Sequence, residues 1–130
     1  SSRVIDVLEY GDTVKKAGLN LLSAPGNDLV ASTALAAAGA QIILFTIGRG
    51  TPFASPVPTI KISSNTRLYE KKINWIDFNS GELVDDEDMT LQQIGMKLYD
   101  LVMETASGKP VKAEQEGYHD LAIFKQGVTL

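Results

Sequence analysis

The sequence has no cysteine, one histidine and one tryptophan. Without cysteine there is no disulfide framework, no thiolate metal site and no thiol nucleophile, a usage that fits a cytoplasmic protein. Long apolar runs are also missing. The longest, around Ala34 to Phe45, is interrupted by Gly39 and Gln41, and no basic segment followed by an apolar core opens the chain, so neither export nor a membrane partner is expected. Positive charge is in the minority: twelve Lys and Arg against sixteen Asp and Glu give a net charge of -4. The basic residues are scattered instead of forming a stripe, so no nucleic-acid partner is expected. There is no G-x-G-x-x-G, and "SAPGND" lacks the spacing and the Lys-Ser/Thr ending of a phosphate loop, which argues against dinucleotide binding.

What is present is an ordinary globular balance, 44% hydrophobic and 22% charged over 130 residues, enough for one compact domain. "GLNLLSA" (Gly18 to Ala24) reads as a strand closed by the turn residues "PGND". "DLVASTALAAAGA" has the Ala and Leu content of a helix, with Asn27 or Asp28 as its cap and Gly39 as its stop. "QIILFTI" (Gln41 to Ile47) is apolar on both faces, as a covered parallel strand is, and the strand-helix-strand unit implies a right-handed crossover. "TIKIS" (Thr59 to Ser63) alternates as a half-buried or edge strand does, "NTRLYEKK" predicts a short helix capped by Asn65, and Trp75 to Phe78 predicts another short strand whose aromatic residues belong to the core. A long amphipathic helix is predicted from Asp88 to Ala106, with Asp85 to Asp88 at its positive end. "RVIDVLEYG" suits strand or helix, and "LAIF" in the tail suits a last strand or an extended arm. The fold class that follows is α/β, a three-layer Rossmann-like sandwich with a mainly parallel sheet of about four to five strands.

In such a sheet the polar loops after the strands share one edge, where ligands bind. The candidate substrate-binding residues are therefore Asn27, Asp28, Gly48, Arg49, Gly50, Thr51, Asn65 and Asn79, with Ser23, Thr46, Ser63 and Ser64 nearby. Neutral donors and acceptors suit hydroxyl groups, and the Arg49 fork suits a carboxylate or phosphate. A polyhydroxylated anion satisfies both. "GRG" reads equally as turn punctuation or as an anion clamp, and Asn27 and Asn65 are helix caps whether or not a ligand comes. Lys61 reads as a solvated edge lysine, or as a base if burial lowers its pKa. His119 beside Asp120 reads as a surface residue, and the acidic run as helix-start charge ahead of a cation site.

Three stretches, "GLNLLSAPGNDLVASTALAAAGAQIILFTIGRGTPF", "PTIKISSNTRLYEKKINWIDFNSG" and "ASGKPVKAEQEGYHDLAIFKQGVTL", resemble in order and spacing the C-terminal domain of the altronate dehydratase and galactarate dehydratase family, closer to the altronate branch through "LLSAPGND" and "AIFKQGVTL". The resemblance implies a cytoplasmic hydro-lyase of hexuronate and hexarate catabolism with a divalent metal, ferrous iron, as cofactor. It also implies that this chain is one domain of a longer enzyme, Ser1 being an arbitrary start. The metal is then expected to be held mostly outside this chain, which has no compact ligand cluster, and no catalytic base is assigned within it. The expected partners are a sugar-acid substrate and the enzyme's other domains, with a homo-oligomer left open. An alternative role is that of a structural or oligomerisation module, with "TPFASPVP" as a strap that docks on another domain.

Overall fold

The computed structural model describes residues 2–123. Element order is β1 (Val4–Leu8), β2 (Leu19–Leu22), α1 (Asp28–Ala38), β3 (Ile43–Ile47), β4 (Thr59–Ser63), α2 (Thr66–Lys71), β5 (Phe78–Asn79), α3 (Glu82–Asp85), α4 (Leu91–Ala106) and α5 (Lys112–Gln115). All strand pairs are parallel, and the class is α/β as its residues predict. The strands divide differently from the expected single sheet. β3, β4 and β5 form one sheet in that order, and β1 pairs with β2 in a separate sheet. The β2-α1-β3 unit therefore connects two sheets instead of crossing over within one.

The helix starts follow local chemistry. Asn27 caps α1 by accepting from the Val30 amide at 3.2 Å, and Gly39 ends it at φ 115, in the left-handed region that glycine enters freely. α4 begins at Leu91, later than Asp88, because Thr90 and Gln93 close a reciprocal capping box. Asp85 to Asp88 thus end α3 and form the following turn, where the Asp88 amide donates to Asp86 Oδ1, so the helix-start account of the acidic run falls. The polar tail also holds α5, and β5 is confined to Phe78–Asn79. Trp75 stands in the turn before β5, half-buried against the core.

β4 is the principal correction. All five of its residues are buried, so "TIKIS" is the central strand of its sheet and not an edge. Its alternation has two different causes. Ile60 and Ile62 face Val111 and the apolar side of α4, with Leu98, Leu101 and Val102 packed against them. On the other face Ile47, Leu68 and Ile76 pack with Phe45, Tyr69 and Trp75. The sheet is thereby covered by helices on both sides, and burying each such isoleucine contributes about 1.5–3 kcal/mol. The polar row of β4 meets the segment between β3 and β4: Ser55 bonds Thr59 through its amide at 3.2 Å and its hydroxyl at 2.9 Å, while Ala54 is buried. "TPFASPVP" is thus a strap over this domain's own sheet. Past α5 the chain runs as an arm, with the Asp120 amide on the Ala54 carbonyl and the Ala122 amide on Thr33 Oγ1. Phe124 of "LAIF" and the "KQGVTL" ending lie outside the described residues.

Candidate functional site

Parallel pairing sends the ends of β3, β4 and β5 to one edge, and three loops meet there. They brace one another. After β5, Asn79 turns inward: its Nδ2 donates to Thr66 Oγ1 at 2.9 Å, and its Oδ1 accepts from the Gly81 amide at 3.0 Å and from Ser63 Oγ at 3.4 Å. Gly81 lies so close to the start of α2 that a Cβ there would meet the Thr66 nitrogen at 2.3 Å. Asn65 caps α2 through the Leu68 amide at 2.8 Å, and its Nδ2 reaches the Gly48 carbonyl at 3.5 Å. Gly50, at φ 90, brings the β3 loop against α2, where a Cβ would stand 3.3 Å from Leu68 Cδ1.

Between these two glycines Arg49 is exposed and, among the described residues, makes no hydrogen bond or ion pair. It lines two depressions. One, of about 190 Å³, runs from Asp28 along Phe45 to Thr51. The other, of about 240 Å³, is bounded by Gly48, Arg49, Asn65, Arg67, Leu68 and Lys71. Six of the eight candidate residues, Asp28, Gly48, Arg49, Gly50, Thr51 and Asn65, are thus brought together, with Asn27 adjacent as the α1 cap. Asn79 supports the edge from beneath and lines neither depression. Arg67 and Lys71 were not singled out in the sequence. Their signal is the spacing of four that stacks them on one side of a helix opening at the sheet edge.

Lys61 is not the solvated lysine its position suggested. It is fully buried, its Nζ donates to the Thr51 carbonyl at 2.8 Å and stands 5.8 Å from the centre of the Phe53 ring. Burial holds its pKa below the ordinary lysine value, with the charges of Asp77 and Asp120 working against that shift. The ammonium is a post beneath the β3 loop, since it reaches the back of Thr51 and not the open edge.

No three His, Asp or Glu residues come together at metal-binding geometry among the described residues, so their donors do not fit a divalent ion. His119 is exposed. A further depression, about 470 Å³, runs along the outer side of α4 beside Met89, Gln93 and Met96. Its Lys97 is engaged by Glu82 at 2.8 Å. No helix of the described residues is long and apolar enough to cross a membrane.

Fold and edge together define an α/β domain whose strand-end loops carry exposed cationic side chains beside polar ones. The family described as D-galactarate/Altronate dehydratase, C-terminal, matches residues 1–129, and the chain belongs to it. It is 56% identical over 129 residues to the altronate dehydratase of Bacillus subtilis, covering 99% of this chain and 26% of that protein. It is 51% identical over 130 residues to the altronate dehydratase of Escherichia coli, covering 100% of this chain and 26% of that protein. With the galactarate dehydratase (L-threo-forming) of Escherichia coli the identity is 35% over 126 residues, 95% of this chain and 24% of the relative. The chain spans about a quarter of the length of these curated relatives.

Proposed function

We propose that this domain forms one wall of the substrate site of a cytoplasmic hydro-lyase that removes water from D-altronate to give 2-dehydro-3-deoxy-D-gluconate. The reaction takes the proton from the carbon beside the carboxylate, expels the neighbouring hydroxyl as water, and leaves an enol that becomes the 2-oxo acid. A divalent metal, ferrous iron, belongs to this reading as a cofactor held outside the described residues, and no step here is routed through it. No base is assigned among the described residues: Lys61 is buried and committed, and His119 lines neither depression. The part of this domain is to bind and orient. Arg49 pairs with the carboxylate, Thr51 and Asp28 read hydroxyls in the first depression with Asn27 beside it, Asn65 contributes from the second, and Asn79 keeps the loops in register.

The observation that carries the reading is Arg49, a guanidinium with no partner among the described residues, held at the strand-end edge beside Gly50, which is packed against Leu68. In the full-length enzyme, Arg49→Ala is expected to raise KM for D-altronate by about tenfold or more, since a charge-assisted bond is worth about 1.5–3 kcal/mol, with kcat changed less. Unaltered kcat/KM would contradict it. The same assay with D-galactarate decides between the two sugar acids.

A second reading, a module for assembly, is favoured by apolar residues left exposed on β1, β2 and α4, among them Val7, Leu21, Leu91 and Met96. On that reading, polar substitutions there change the size of the particle, and Arg49→Ala changes nothing in the kinetics.

A further inference from the structure

We propose that Arg67 and Lys71 of α2 join Arg49 in a single carboxylate subsite, which fixes the direction in which the substrate lies. This rests on the sugar-acid reading above. In a protein of net charge -4, six of the eleven described Lys and Arg residues are engaged, and of the other five Arg3 and Lys15 line neither depression. Lys16, Lys97 and Lys109 are in ion pairs, Lys61 and Lys112 donate to backbone carbonyls, and Lys72 lies over Trp75. Arg49, Arg67 and Lys71 are different: they surround one depression of about 240 Å³, no carboxylate lines it, and among the described residues none of the three has a partner.

Two of them stand four apart on one side of a helix of six residues, where like charges repel and weaken the helix unless an anion lies between them. The geometry is maintained at a cost elsewhere. Gly50 takes a left-handed conformation to bring Arg49 to α2, and Asn65 ties the start of α2 to Gly48. The depression's lining is cationic and suits the charged end of a hexonate, whereas the neighbouring depression carries Asp28, which repels a carboxylate and accepts from hydroxyls. The substrate then lies with its carboxylate over α2 and its hydroxyl chain across Arg49 toward Thr46 and Asp28.

The test uses the full-length enzyme and its Arg67→Gln/Lys71→Gln variant, which removes charge and keeps side-chain bulk. Calorimetric titration with D-gluconate, and with D-glucitol as the neutral polyol of equal length, is run beside kinetics on D-altronate. The wild type is expected to bind gluconate more tightly than glucitol. The variant should lose about tenfold or more of its gluconate affinity, keep its glucitol affinity, and show a raised KM with little change in kcat. Glu70→Gln, on the same helix but outside the depression, should alter neither, and Lys71→Arg should retain binding if the double variant folds poorly. A variant that binds gluconate as the wild type does, or a wild type that does not distinguish gluconate from glucitol, overturns the subsite. If the wild type dehydrates neither sugar acid yet loses gluconate binding on substitution, the hydro-lyase reading falls and the carboxylate subsite stands.

Discussion

Burying the Lys61 ammonium inside β4 carries a desolvation cost that one bond to the Thr51 carbonyl offsets only in part. Its folded pKa lies below 10.5, so between that value and 10.5 the unfolded chain binds more protons than the folded one, and stability rises with pH across the window. Below the window the lysine is charged in both states and the full burial cost is present. Lys61→Met removes this contribution while Lys112, shifted the same way, remains as a common background. Urea unfolding at neutral pH and at about pH 10 should therefore show the wild type gaining stability relative to the variant as pH rises. A difference independent of pH would contradict that account. The place of Arg49 at the strand-end edge was legible in the sequence because glycines break the apolar run of β3 there, although "GRG" reads equally as turn punctuation. The burial of Lys61 was not, since an alternating strand at an edge and a central strand with a polar strap over one face have the same pattern.

The β3 loop works only with α2 beneath it, and Gly50 is where the two touch. Gly50→Ala puts a Cβ into a left-handed backbone and against Leu68, and should cost about 1–3 kcal/mol in urea unfolding. It should also raise KM for D-altronate in the full-length enzyme by displacing Arg49. Gly48→Ala is the contrast: its backbone is not left-handed, and the nearest atom to its Cβ is Ser64 Oγ at 3.6 Å. Equal effects from the two substitutions would remove the packing argument. Caps at Asn27 and Asn65 were readable because they obey rules spanning three residues. The start of α4 misled, because four acidic residues imitate a helix N-terminus while the Thr90 and Gln93 pair that sets it is quieter in the sequence. Arg67 and Lys71 were not legible as edge residues for a related reason: a helix side facing open solvent and one lining a depression are the same string until the sheet edge is placed beside them.

At the scale of the whole molecule, strand types and parallel pairing follow from local pattern, but the partition into two sheets does not, because it depends on which apolar faces meet at a distance in sequence. Val4, Val7, Leu19 and Leu21 remain exposed on the two-stranded sheet, and the three-stranded sheet alone is covered on both sides and carries the loops. The central claim is that the edge of this second sheet meets the sugar acid. Its most direct test is hydrogen–deuterium exchange of the full-length enzyme with and without saturating D-altronate, read peptide by peptide. The account predicts slowed exchange in residues 46–52 and 64–72, with β1, β2 and the outer side of α4 unchanged. Slowing confined to other parts of the enzyme, with those two segments exchanging as before, would contradict it.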